Sequence, residues 1–261
     1  MKLKKLFLFV SAALLIVTAS ACKKQEDASG TAAIKRAGVL KVGVKADVPG
    51  FGLFNTSTNQ YEGLEIEIAK LLAKEILVDS GKVRFEPVTA KTRGPLLDNG
   101  ELDMIIATFT ITDERKLTYN FSTPYYTDAV GMLVKKSSGI SRLADLNGKM
   151  IGVAQSATSK EAIDAAAKAI GVTLQFAEFS TYPEIKAALD SGRVDVFSVD
   201  KSILNGYLDS ESVILPDEFS PQPYGVTTKL SNKALADYVD GLIQEWLGDG
   251  TIPALIEQFN L

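Results

Sequence analysis

The sequence predicts an α/β protein whose mostly parallel sheets form two similar lobes around a cleft. Three observations predict it. Short apolar runs alternate with segments of helical periodicity from Leu40 to the C-terminus. Several runs are apolar throughout, as strands buried on both faces are. The chain also echoes itself: Leu97-Asp98-Asn99-Gly100-Glu101-Leu102-Asp103-Met104 is matched by Leu189-Asp190-Ser191-Gly192-Arg193-Val194-Asp195-Val196, with the glycines 92 residues apart. In each copy a helix ends at a glycine, which adopts a left-handed C-cap, and a buried strand comes next. Ligands of open α/β sheets bind beyond the carboxyl ends of the strands, so two facing sheets make a cleft.

Leu40 to Val44 reads as a strand, and Leu64, Ile68, Leu71, Leu72 and Ile76 share one helical face. Val83 to Val88 is a strand, and Met104 to Ala107 a buried one. Met150 to Val153 resumes the alternation, then a helix from about Ser159 to Ile170 and a strand from Leu174 to Phe179. Thr181 with Pro183 starts a helix, because a hydroxyl cap and an early proline suit a first turn. Val194 to Val199 is the next buried strand. Ser231 caps a helix to about Leu247, and a last helix begins after Thr251.

Composition narrows the function classes. The chain has 261 residues, 46% apolar and 23% charged, with net charge −4. That is globular, without the clustered cations of a nucleic-acid surface. There is no histidine and one cysteine, so Ser-His and Cys-His chemistry, intrachain disulfides and thiolate metal sites are excluded. No metal or cofactor is expected.

Residues 1–21 read as a signal peptide. Lys2, Lys4 and Lys5 precede an apolar core from Leu6 to Val17, too short to span a bilayer comfortably. Ala19-Ser20-Ala21 then allows cleavage to a soluble protein, or lipid modification of Cys22. The second reading is preferred, because the sole cysteine sits there and a polar tether, residues 22–33, comes after it. Ala19 stands where a lipoprotein signal usually has leucine.

No G-x-S-x-G, P-loop or G-x-G-x-x-G motif is present. The densest polar group is Thr108-Phe109-Thr110-Ile111-Thr112-Asp113-Glu114-Arg115, directly after a buried strand. Thr108 and Thr110 point the same way if the chain stays extended. Thr112 suits an N-cap, and Arg115 near that helix start suggests a carboxylate partner held by parallel hydrogen bonds. A capped helix with a solvated arginine explains the spacing equally well. Gln155 to Ser159 opens a helix whose free N–H groups suit an anion, or simply an N-cap. Asp200 ends its strand where it neutralises an ammonium or caps the next helix. Lys45 ends the first strand, where a solvated lysine is the ordinary reading.

Several segments together resemble the bacterial extracellular solute-binding proteins for polar amino acids, the receptors of ABC importers. They are Thr110-Ile111-Thr112-Asp113-Glu114-Arg115, Phe121-Ser122-Thr123-Pro124-Tyr125-Tyr126, Gly63-Leu64-Glu65-Ile66-Glu67-Ile68-Ala69 and Ser191-Gly192-Arg193-Val194-Asp195. The resemblance runs from about Ile34 to the C-terminus. Ala90-Lys91-Thr92-Arg93-Gly94-Pro95-Leu96-Leu97-Asp98-Asn99-Gly100, Phe197 to Leu204, and Val42-Gly43-Val44-Lys45 before Asp47-Val48-Pro49 look like the aspartate/glutamate-binding subgroup.

The resemblance implies a type II periplasmic-binding clamshell. Lobe one would be residues 34–133 plus 225–261 and lobe two 134–224, with hinges near Met132-Leu133-Val134 and Pro223-Tyr224-Gly225. Arg115 would hold the α-carboxylate, Asp200 the α-ammonium, Thr110 and Thr108 the groups around both, and Thr158 a second carboxylate contact. Arg93, Lys45 and Tyr182 would receive a side-chain carboxylate. Three cations against one acid would leave the site at +2, suited to a ligand of charge −1. Val48 takes the place of an aromatic wall. The implied protein is a monomeric, exported, non-enzymatic receptor in the periplasm or lipid-anchored at the outer face of the cytoplasmic membrane. It would partner a membrane permease. A dehydratase on the same fold and a receptor for another polar amino acid such as glutamine are the alternatives.

Overall fold

The computed structural model describes residues 30–261, so the signal-peptide and lipidation expectations, Cys22 included, lie outside the described residues. The folded chain starts earlier than the tether boundary at residue 33 implies. Thr31 is buried and helix α1 spans Ala32–Ala37.

Lobe one is built from β1 (Leu40–Val44), the small hairpin strands β2 (Asp47–Val48), β3 (Gly52–Asn55) and β4 (Gln60–Glu62), then α2 (Leu64–Leu77), β5 (Val83–Pro87), α3 (Arg93–Asp98), β6 (Met104–Ile106), α4 (Asp113–Lys116) and β7 (Tyr119–Phe121). In α2 the expected apolar stripe is buried at Leu64, Ile68, Leu72 and Ile76, while Leu71 lies at its edge. Thr112 caps α4 as expected, its hydroxyl accepting from Arg115 N at 3.1 Å.

Lobe two takes β8 (Tyr126–Lys135), β9 (Met150–Ala154), α5 (Ser159–Ala169), β10 (Gln175–Phe179), α6 (Tyr182–Asp190), β11 (Val196–Asp200), α7 (Lys201–Asn205), β12 (Ser212–Ile214) and β13 (Phe219–Tyr224). The Thr181 cap of α6 is a full capping box with Glu184. The chain returns to lobe one through β14 (Thr227–Lys229), α8 (Lys233–Gly248) and α9 (Thr251–Gln258). Asn232, not Ser231, caps α8, its side chain accepting from Leu235 N at 3.3 Å.

Each sheet has a parallel core of the strands the sequence exposes most clearly. Sheet one runs β5-β1-β6-β14-β7 and sheet two β10-β9-β11-β8-β12, with β13 also on β8. β5, β1 and β6 are parallel, as are β10, β9 and β11. The remaining strands join antiparallel, so both sheets are mixed.

The internal echo is structural. Asp103 Oδ2 accepts from Lys41 N at 2.8 Å, and Asp195 Oδ2 from Met150 N at 2.8 Å. In each lobe the same aspartate clasps the start of the first parallel strand. A Cβ at Gly43 would lie 2.6 Å from Leu102, and one at Gly152 3.2 Å from Val194, so each copy's apolar residue needs a facing glycine.

The first crossing differs from the hinge expected at Met132-Leu133-Val134. Those residues sit inside β8, paired with β11 and β12, and are fully buried. A continuous apolar run marks a central strand, not a hinge. The chain passes between the sheets at 122–125 and again at 225–226, so residues 126–133 belong with sheet two. The two crossings lie side by side: Ser122 N donates to Val226 O at 2.9 Å and Tyr125 N to Tyr224 O at 3.0 Å.

Candidate functional site

The segment after β6 is tied to the second crossing. Ile111 N donates to Pro223 O at 2.7 Å and Gly225 N to Phe109 O at 3.3 Å. Thr108 has φ 45°, a left-handed conformation uncommon for a β-branched residue. Its N–H donates to Glu65 Oε1 at 2.5 Å, which fixes the turn. The turned carbonyls of Ala107 and Thr108 then accept from Arg93 Nη1 at 2.6 and 3.2 Å.

Arg93 is 3% exposed, and its guanidinium stacks 3.9 Å from the Phe109 ring centroid. Arg115 lies 4.5 Å from that same centroid. Arg115 Nη1 donates to Thr110 O at 2.8 Å, and Nη2 reaches across to lobe two, to Ser156 O at 3.2 Å. Among the described residues, no carboxylate lies within salt-bridge distance of Arg93 or Arg115. Burial lowers the pKa of both, Arg115 to about 9, with the charge of Arg93 contributing at Arg115. Among the described residues, Arg93 Nε and Thr108 Oγ1 are buried without a partner. Buried polar atoms of that kind are few in a native fold and call for an explanation.

Lys45 is otherwise placed. It is 2% exposed but pairs with Asp47 at 3.1 Å and lies 4.5 Å from the Tyr182 ring centroid. Asp47 also accepts from Tyr182 N at 3.4 Å and, through its carbonyl, from Tyr207 O–H at 2.5 Å, so it links the lobes. On the same rim Pro49 packs so tightly on Gly206 that a Cβ there would lie 2.8 Å from the proline ring.

Asp200 does not cap α7 with its side chain. Its carboxylate accepts from Tyr224 O–H. Desolvation pushes its pKa up to about 7. Glu65 is also raised to about 7 by burial, although it accepts from Thr108 N and, at 2.6 Å, from Tyr125 O–H. Thr158 begins α5 without capping it; its hydroxyl donates to Gln222 Oε1 at 2.6 Å, as Thr110 Oγ1 does at 2.8 Å.

Of the expected residues, Thr110, Arg115 and Thr158 line one cavity between the lobes, while Lys45, Arg93, Thr108, Tyr182 and Asp200 are buried outside its lining. The expected charge of +2 is corrected: Asp47 and Glu65 join Asp200, so three carboxyl groups stand against three cations. Val48 is fully buried, and the aromatic face at the cations is Phe109. Glu65 had a legible signal, since it lies buried in α2 with Ile68, Leu72 and Ile76, where a carboxylate is out of place. Asp47 and Gln222 had none.

Residues 40–261 match the family model of bacterial extracellular solute-binding proteins, family 3. The chain belongs to this family. It is 41% identical over 217 residues to the glutamine-binding protein of Geobacillus stearothermophilus, covering 81% of each chain. It is 37% identical over 230 residues to the glutamine-binding protein GlnH of a Bacillus subtilis ABC transporter, covering 87% of this chain and 83% of that one. Among solved structures it is similar to an ancestral amino-acid-binding protein described as a precursor of cyclohexadienyl dehydratase, with TM-score 0.77, 31% identity and coverage of 88% and 98%. The family-3 protein is thus an extracytoplasmic amino-acid receptor with a type II clamshell fold, partnered by an ABC permease. No helix among its described residues is long and apolar enough to cross a membrane.

Proposed function

We propose that this family-3 receptor captures an acidic amino acid, aspartate or glutamate. The carrying observation is two guanidiniums on one aromatic ring, Arg93 buried and Arg115 half-buried, with no carboxylate among the described residues within salt-bridge distance of either. Leaving two cations desolvated and unpaired is costly, and two ligand carboxylates offset both. Arg115 takes the α-carboxylate, because its two nitrogens bridge the lobes at Thr110 and Ser156. Arg93, deeper in the fold, takes the side-chain carboxylate, with Tyr182 and Lys45 nearby. Lys45 contributes less than its charge suggests, because Asp47 already neutralises it. Asp200 accepts from the α-ammonium, and Thr108, Thr110 and Thr158 complete the clamp. Since the groups come from both lobes, ligand favours the closed form.

A second reading, glutamine, is favoured by the names of the two relatives and by the charge count. Three carboxyl groups against three cations also suit a ligand of zero net charge. Calorimetric titration of the purified protein with aspartate, glutamate, asparagine and glutamine separates the readings. Acids are expected to bind at least tenfold tighter than their amides. Tighter binding of glutamine than glutamate would overturn the acidic assignment.

The protein binds rather than transforms its ligand, as an arginine–aspartate clamp on an α-amino acid suits retention. It acts as a monomer, tethered through a lipid on Cys22. Mass spectrometry of the exported protein is expected to find diacylglyceryl-cysteine at the mature N-terminus. An unmodified Cys22 there would remove the anchor from this account.

A further inference from the structure

We propose that Gln222, on the strand leading into the second crossing, is a positioning residue that prepares both lobes to receive the ligand's α-ammonium. The inference rests on the reading of the cleft as an α-amino-acid site, and it is independent of which side chain is preferred.

The arrangement originates in the backbone. β13 carries a register shift between Phe219 and Pro221, and Ser220 there has φ 45°. Such a bulge re-aims the side chains beyond it. Gln222 Nε2 donates to Ser220 O at 3.0 Å, which fixes the amide with its nitrogen toward the bulge. The oxygen is left to face away, and it accepts from Thr110 Oγ1 at 2.8 Å and Thr158 Oγ1 at 2.6 Å. Thr110 belongs to lobe one and Thr158 to lobe two, so one buried amide oxygen joins the lobes.

A hydroxyl has one proton to donate. Thr110 and Thr158 spend theirs on Gln222, and each oxygen keeps only acceptor capacity. Thr110, Thr158, Arg115 and Gln222 line one cavity of about 950 Å³. A ligand group offering N–H donors matches two acceptor oxygens there, whereas a carboxylate would be repelled by them. The α-carboxylate is left to Arg115. Gln222 thereby sets, through the two hydroxyls, which end of the amino acid the threonines accept. Because its two partners sit on different lobes, it also favours the closed arrangement in which they converge.

The test uses Gln222→Met, which keeps the side chain's length but removes its acceptor, together with Thr158→Val. Each is titrated with aspartate, glutamate, asparagine and glutamine beside the wild type. Gln222→Met is expected to weaken all four by a similar factor of about ten, the loss of one well-made hydrogen-bond arrangement. Thr158→Val should show the same even loss. In the Thr158→Val background, Gln222→Met should cost less than in the wild type, because part of its route is already gone. Three results would overturn the proposal: Thr158→Val binding all four ligands like the wild type, a Gln222→Met loss confined to acids or to amides, or fully additive losses in the double variant. If Gln222→Met does not fold, the Thr158→Val titration alone decides. A wild type that prefers amides would remove the acidic assignment and leave this inference standing.

Discussion

Arg115→Ala is expected to weaken binding of every amino acid, acidic or neutral, by about 30-fold or more. The α-carboxylate is common to all of them, and Arg115 is the cation that bridges Thr110 of one lobe and Ser156 of the other. Its truncation leaves a desolvated carboxylate unpaired, at a cost of about 2–5 kcal/mol, or roughly 30-fold to several thousand-fold in Kd. It also removes a direct hydrogen bond across the cleft, so the closed form loses part of its own stabilisation. Folding should be little affected, because α4 is short, has no buried residue and is capped by Thr112 rather than by the guanidinium. Calorimetry at millimolar ligand, with circular dichroism to confirm the fold, measures both. Retention of near-wild-type affinity for any common amino acid would show that the α-carboxylate is held elsewhere.

Arg93→Ala is expected to separate acids from amides. Aspartate and glutamate should lose about 2–5 kcal/mol, because their side-chain carboxylate is left buried without a partner. Asparagine and glutamine should lose much less, since a neutral amide forfeits only a hydrogen bond. The variant also frees the carbonyls of Ala107 and Thr108, which Arg93 Nη1 satisfies, and uncovers one face of Phe109. Some stability should therefore fall for every ligand state alike. Arg93→Lys controls for this, because it keeps a charge but not the fork geometry. The ratio of acid to amide affinity is the quantity to follow. Equal losses across the four ligands would make Arg93 a purely structural residue and remove the main support for acidic selectivity.

Much of the fold is legible in the sequence, for particular reasons. The strands of both parallel cores carry apolar runs that few other environments accept, so β1, β6, β9 and β11 are readable from residue type. Thr112 and Thr181 announce helix starts through local chemistry alone. Less is legible where function depends on partners far apart in the chain. The sequence shows Lys45 as a solvated cation; folding buries it under Tyr182, 137 positions later, and it pairs there with its near neighbour Asp47. Phe109 looks like a core residue between two threonines, and only the fold brings two arginines onto its ring. β13 contains two prolines, which disfavour a central strand; it pairs with the open side of β8 because a bulge at Ser220 accommodates the shift in register.

The sequence by itself determined the α/β alternation, the doubled lobe plan carried by the Gly100 and Gly192 segments, and the short list of polar residues at strand ends. Those features are local: periodicity, cap chemistry and glycine's left-handed freedom act within a few residues. The tertiary structure alone decided where the chain crosses between the sheets, which charges are matched and which are left unpaired, and that Gln222 joins Thr110 to Thr158. Electrostatic pairing and desolvation are set by distance and burial, and neither is a property of neighbours in sequence.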